Sequence, residues 1–174
     1  CGMDSLTTTV EPGSLFTVGV TPVTYTAIDV NGNTLISNFD VTVTDNEFPQ
    51  FVAPTGDIQI TSEPGLCDAQ VTWNEIVSTD PCGIESIVGT HSSGDRFPVG
   101  STLVEYSATD NNGNISTHGF SVTVTDDENP VFSNLPLDIT LENEVGVCGA
   151  VVTWGTPLGS DNCGIDSMTT DHIS

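Results

Sequence analysis

The sequence predicts an all-β fold built as tandem β-sandwich repeats of 81 residues. Three observations predict it. Cys1 recurs as Cys82 and Cys163, Cys67 as Cys148, and Trp73 as Trp154, always 81 positions on and with no insertion or deletion. Apolar and polar residues alternate with period two in several runs rich in Val, Thr and Ile, and no useful 3.6-residue stripe exists. Gly, Pro and Asn interrupt these runs at roughly ten-residue spacing, the pattern of short strands in a sandwich. A fixed period of this size is the mark of an array.

The repeat fixes the expected organisation. Residues 1–48 read as the C-terminal part of a first repeat, 49–129 as a complete second repeat, and 130–174 as the N-terminal part of a third. Cys1 stands where the second cysteine of a repeat belongs, so its partner is expected upstream.

Within the complete repeat, Asp57–Ile60 and Ile84–Ile87 are short strand candidates, and Val71–Trp73 continues an alternation begun at Ala69. Phe97-Pro98-Val99-Gly100 reads as a turn. It enters the longest alternating run, Thr102–Thr109, in which Val104, Tyr106 and Ala108 share the core face. Asp110-Asn111-Asn112-Gly113-Asn114 is a hairpin turn, because Asn-Gly supplies the positive φ that a tight connection needs. Phe120, Val122 and Val124 then point inward from the next strand. Trp73 and Tyr106 are core residues in this reading.

Charge excludes some functions. One Lys+Arg against 24 Asp+Glu gives a formal net charge of -23, and Arg96 is the only basic residue of those two types. Such a surface repels nucleic acid and anionic membranes and gathers cations. No apolar run approaches the length of a membrane span. His91, His118 and His172 do not cluster, and no CxxC occurs, so cystines are favoured over zinc and an oxidising compartment is expected. Two pairings are open. Cys67–Cys82 with Cys148–Cys163 keeps each bond inside one repeat and leaves Cys1 for an upstream cysteine; Cys1–Cys67 with Cys82–Cys148 leaves Cys163 single. The first is preferred, since each bond closes a short loop and stabilises by about 3 kcal/mol on the chain-entropy model.

The runs Cys67–Trp73, Asp80–Ile84, Phe97–Gly100, Val104–Asp110, Gly113-Asn114 and Phe120–Val124 together resemble the hyalin repeat, or HYR domain. The resemblance covers the whole chain. It implies an immunoglobulin-like fold and a role in extracellular adhesion. The cysteine placement looks more like the tandem HYR arrays of bacterial surface adhesins than the animal versions.

The acidic runs at the repeat boundaries are candidate cation sites. Asp45-Asn46-Glu47-Phe48-Pro49 and its counterpart Asp126-Asp127-Glu128-Asn129-Pro130 are similar to the linker of cadherins, where carboxylates and calcium stiffen a junction. Calcium takes six to eight oxygen ligands. The candidate ligands are Asp45, Glu47, Asp80, Asp126, Asp127, Glu128 and Asp161, with Asp110 and Asn112 as a lesser turn site. Asn114-Ile115-Ser116 is an N-glycosylation sequon, and Asp4-Ser5-Leu6 and Asp166-Ser167-Met168 resemble a short O-glycosylation motif.

The function expected is a stalk or filament segment of an extracellular, cell-surface adhesin. Its length comes from an elongated array, and its stiffness from cystines and possible calcium. Neighbouring repeats are the expected partners, along with other filament chains, surface glycans or proteins. The alternative is a calcium-assisted carbohydrate- or protein-binding module of a secreted protein. No Ser/His/Asp or Cys/His constellation can be assembled, so the segment does not read as an enzyme.

Overall fold

A computed structural model describes residues 2–52 and 56–170. Every regular element among them is a strand. In chain order these are β1 (Met3–Thr8), β2 (Gly19–Asp29), β3 (Thr34–Val43), β4 (Gln50–Val52), β5 (Ile58–Thr61), β6 (Asp68–Gln70), β7 (Val77–Thr79), β8 (Ile84–Gly89), β9 (Arg96–Pro98), β10 (Gly100–Asp110), β11 (Ile115–Thr125), β12 (Val131–Ser133) and β13 (Leu158–Ser160).

The 81-residue period returns in this architecture. The sheet β1–β2–β3 recurs as β8–β10–β11. The short antiparallel pair β4–β7, with Gln50 opposite Thr79, recurs as β12–β13, with Val131 opposite Ser160. In the complete repeat β5 joins the sheet as a parallel neighbour of β11, giving the order β5–β11–β10–β8, and β6 pairs with β9. The chain is all-β and immunoglobulin-like, as the alternation and the resemblance imply.

The chain divides into two compact units. The first comprises Cys1–Val52, Val77–Val88 and Ser107–Thr117. It holds the β1–β2–β3 sheet and the β4–β7 pair. Phe39 on β3 stacks on Tyr25 of β2 at 6.4 Å but remains 53% exposed. Leu35 and Ile36 are exposed beside it. Val23, opposite Phe39 in the ladder, is buried at 2%, so this face is covered only in part, and Phe39 and Leu35 stay at the surface.

The second unit comprises Ala53–Ile76, Gly89–Tyr106 and His118–Ser174. Here the facing layer is present. Ala69, Val71 and Phe97 from the β6–β9 side pack with Val104, Phe120, Val122 and Val124 from β10 and β11, and Ile58, Trp73 and Tyr106 close the rim. Phe120, the counterpart of Phe39, is only 2% exposed. Trp73 meets Phe120 edge-on at 5.3 Å and Phe97 at 6.0 Å, and its indole N–H donates to the Tyr106 hydroxyl at 3.1 Å. A buried indole needs such an acceptor. The alternation Val104, Tyr106, Ala108 and Phe120, Val122, Val124 therefore marks the core as expected.

Two local readings are corrected. Phe97-Pro98 is not a turn: it belongs to β9, and Val99 N–H continues the ladder to Cys67 O at 3.1 Å. Conversely, regular strand ends at Gln70, before Val71–Trp73. Val71 still exchanges backbone bonds with Asp95 O and Gly94 N–H, but beyond it the Ser93 hydroxyl replaces the ladder, accepting from Trp73 N–H and donating to Trp73 O, both at 2.8 Å.

The sole arginine is used at the edge of this layer. Arg96 pairs with Glu63 at 2.9 Å and with Asp68, and holds both carboxyls below their ordinary values.

In residues 130–170 the apolar side chains Leu135, Leu137, Ile139, Leu141 and Val151 are exposed, and so is Trp154, the counterpart of Trp73. The strands that cover the equivalent positions in the complete repeat, β10 and β11, have no counterparts among the described residues.

Candidate functional site

The chemistry-bearing residues gather at two stations that are copies of each other, 81 residues apart. The first lies in the first unit. After β7 the chain turns at Asp80-Pro81-Cys82-Gly83. Asp80 Oδ1 accepts from Cys82 N–H at 2.7 Å, and Gly83 N–H bonds to Asp80 O at 3.1 Å. Gly83 has φ +96°, and a Cβ there would meet Asn111 Nδ2 at 2.6 Å. That amide donates to Cys82 O at 2.8 Å, so the close approach itself requires glycine. Asp45, from the acidic run after β3, completes the group: ligand atoms of Asp45, Asp80 and Cys82 all lie within 4.8 Å of one another. The Asp45 carboxylate, hydrogen-bonded by the Cys82 thiol, raises that thiol above its ordinary value, and burial adds to the effect. Asp45 Oδ2 and Asp80 Oδ2 are buried without a hydrogen-bond partner.

The second station lies in the second unit. Asp161-Asn162-Cys163-Gly164 repeats the turn, with Cys163 N–H donating to Asp161 Oδ1 at 2.8 Å and φ +104° at Gly164. Asp126, Asp161 and Cys163 again converge within 4.8 Å. Here the group is engaged by the segment before β6. Asn162 Nδ2 donates to Leu66 O at 2.8 Å, and the Glu128 carboxylate accepts from Gly65 N–H at 2.9 Å. Cys67 forms a disulfide with Cys163, 96 residues on, with a Cα–Cα distance of 4.8 Å.

This bond corrects the expected connectivity. Cys67–Cys82, Cys148–Cys163 and the alternative Cys82–Cys148 do not form; Cys82 is a half-buried thiol and Cys148 an exposed one. Cys1 lies outside the described residues. The physical reason is that β6 and β7, which separate Cys67 from Cys82, enter different ladders. β6 pairs with β9, and β7 with β4, so proximity in sequence does not become proximity in space.

Of the candidate metal ligands, the structure brings together Asp45 with Asp80, and Asp126 with Asp161. Glu47, Asp127 and Glu128 are exposed and outside these groups. The Asp110 turn is explained by its own hydrogen bonds. Asp110 is fully buried, and its carboxylate accepts from Asn112 N–H, Asn114 N–H and Asn114 Nδ2, each at 2.8 Å. Burial works to raise this carboxyl, but the donors outweigh it and hold it below its ordinary value. Asn114 of the sequon is thereby engaged and half-buried. The match of the two stations is the signal sequence reasoning missed. Asp45/Asp126, Asp80/Asp161 and Cys82/Cys163 recur together, so a bond that serves one station bears on the other.

Comparison with known proteins agrees with this repeat architecture. The family model of the HYR domain matches residues 2–43 and 44–124. The chain is 37% identical to hyalin of Strongylocentrotus purpuratus, over 98% of its own length and 15% of the relative's. It is 34% identical to hyalin of Lytechinus variegatus, over 94% and 31% respectively. A rat protein named for sushi, von Willebrand factor type A, EGF and pentraxin domains is 35% identical over 60% of the chain and 3% of that protein. The chain thus spans less than a third of each of these relatives. All three are animal proteins, and they lend no support to the bacterial setting that the cysteine placement suggested. With its period, strand recurrence and family match, the chain belongs to the HYR domain family.

Proposed function

We propose that this chain is a structural segment of an extracellular, adhesion-type protein, in which tandem HYR repeats give length and coupled acidic stations give stiffness. The observation that carries the reading is the strand-for-strand return of β1–β2–β3 as β8–β10–β11 and of β4–β7 as β12–β13. An array of like modules suits reach and spacing. No described helix is long and apolar enough to cross a membrane, and the fixed charge favours cationic company.

Calcium is the cation the residues fit. At the first station two buried carboxylate oxygens, on Asp45 and Asp80, lack donors. At the second the sulfur is committed to a cystine, so carboxylate oxygens are the donors common to both, and these suit a hard ion. Bound there, calcium supplies charge neutralisation between the acidic run and the turn after β7 or β13. A separate binding module gains less support: exposed Trp154, its best aromatic platform, is the counterpart of Trp73, which packs against the core in the complete repeat.

The test is the melting temperature and the small-angle scattering profile of the chain, first with millimolar calcium and then with excess chelator. Calcium at about 100 times its Kd is expected to stabilise by about 2.7 kcal/mol, and Asp45→Asn with Asp80→Asn to remove some of that gain. Identical melting and scattering in both buffers would sink the cation role.

A further inference from the structure

We propose that Cys67–Cys163 is one rung of a disulfide ladder, in which the leading cysteine of each repeat bonds the trailing cysteine of the next, 96 residues on. Cys82 is then the trailing half of a rung that takes the leading cysteine of a repeat before it, and Cys148 the leading half of a rung that takes the trailing cysteine of a repeat after it. The partner is a repeat of the same kind in the same chain, so the inference rests on the array reading.

Both free thiols are presented as their bonded counterparts are. On the leading side, Cys67 sits in a turn where Glu63 N–H bonds to Asp68 O at 2.9 Å and Leu66 N–H to Glu63 O at 2.9 Å. Cys148 sits in the same turn: Glu144 N–H bonds to Gly149 O at 2.8 Å and Val147 N–H to Glu144 O at 3.1 Å. Gly65 and Gly146 take φ +74° and +81°. The carboxylates of Glu63 and Glu144 even accept the same next amide, Gln70 N–H at 3.2 Å and Val151 N–H at 3.3 Å. On the trailing side, the Cys82 and Cys163 turns match in their Asp bond, their glycine and their carboxylate neighbours.

Two things differ: Pro81 stands in place of Asn162, whose Nδ2 donates to Asp126 Oδ1 at 3.3 Å, and the second station carries a docked segment. At the second station, Asp126 Oδ1 accepts from the Ser62 hydroxyl at 3.5 Å and Glu128 accepts from Gly65 N–H, both from the run that carries Cys67. At the first station the counterpart Asp45 keeps a buried oxygen without a donor. Glu47, the counterpart of Glu128, borders an open cleft with Phe48, Gln50, Thr79, Asp80 and Pro81. Asp126 and Glu128 thus take donors from the leading-cysteine segment, and no such segment reaches Asp45 or Glu47 among the described residues.

Closing a rung is an oxidation. Two thiols lose two protons and two electrons and form one S–S bond. A small-molecule disulfide of the glutathione class takes them and leaves as two thiols, by attack of one thiolate and resolution by the other.

The experiment inserts a second copy of residues 49–129 directly after residue 129, refolds the chain in a glutathione redox buffer, alkylates free thiols and maps disulfides by mass spectrometry without reduction. The ladder requires two cystines: Cys67 with the copy of Cys82, and the copy of Cys67 with Cys163. The original Cys82 and Cys148 remain alkylated. Bonds inside repeats, or from a trailing cysteine to the next leading one, would overturn it. The same map on the unaltered 174-residue chain needs no new folding and must show Cys67–Cys163 with Cys82 and Cys148 free; any other pairing there overturns the ladder on its own. Scattering of the extended chain separates the two readings. A particle lengthened by the insertion with the wrong cystines leaves the array standing without the ladder. The right cystines with no added length remove the stalk and keep the ladder.

Discussion

Phe39 and Phe120 occupy the same position of the repeat, and the structure predicts very different costs for losing them. Phe120 is 2% exposed and touches Trp73 edge-on at 5.3 Å. Truncating such a ring removes its transfer free energy and leaves a cavity walled by Val104, Val122 and Trp73, so Phe120→Ala should cost about 4 kcal/mol. Phe39 is 53% exposed, and Tyr25 stacks on it at 6.4 Å. About half of a phenylalanine's burial, roughly 1 kcal/mol, is at stake there, and no enclosed cavity forms. The lost stacking adds about 0.5 kcal/mol. A gap of about 2.5 kcal/mol between identical substitutions is therefore expected. Hydrogen exchange followed by mass spectrometry reads the two sheets separately, through the amides of β2 and β3 for one and of β10 and β11 for the other. If Phe39→Ala weakens its sheet as much as Phe120→Ala weakens the other, the β1–β2–β3 face is covered in solution and the account of its exposed residues fails.

Replacing Cys67 and Cys163 together by serine opens a loop of 96 residues, which the chain-entropy model values at about 4.7 kcal/mol, against about 3 for the short loop of a bond within one repeat; urea titration should show the larger loss, while Cys82→Ser should leave the midpoint unchanged. Acid titration should expose the Asp29 and Asp110 turns. Asn33 holds the Asp29 carboxyl below its ordinary value, and the donors from Asn114, Asn112 and Gly113 overcome burial to do the same at Asp110. A carboxyl lowered in the folded state contributes stability that is fully present above the unfolded value and is lost as pH falls through the folded one. Melting temperature should thus fall below about pH 3.8, and less steeply in Asp110→Asn; equal slopes in both proteins would remove Asp110 from the account.

The sequence made some of this legible because side-chain alternation and a gapless period are local signals. Val104, Ala108, Phe120, Val122 and Val124 are buried where alternation puts them, since a strand with one dry face has only one register for them. The pairing of Cys67 was not legible. It depends on which ladders β6 and β7 enter, and those two three-residue strands carry no periodicity from which to read a partner. The strand at Phe97-Pro98 was hidden for a related reason. Proline lacks an N–H and reads as a turn, yet at the end of an edge strand that lack is tolerated. The stations were half legible. The acidic runs announced themselves, but only the fold shows that Asp45 meets Asp80 while Glu47 does not.

The parallel pairing of β5 with β11 has a mechanical consequence. Ile58 through Thr61 lie beside Val122 through Thr125, and Ser62 N–H extends the ladder to Thr125 O at 2.8 Å. One of these strands stands near the start of the complete repeat and the other near its end. Once the Cys67–Cys163 bond is reduced, tension on the two flanking chain segments pulls them past one another along their length. The interstrand bonds then bear load in shear, all at once, and yield together. The β2–β3 hairpin, pulled from its open end, would instead unzip bond by bond. A repeat tied in this way, by a strand near its start and its last strand, resists stretching at the point where a tether would be pulled.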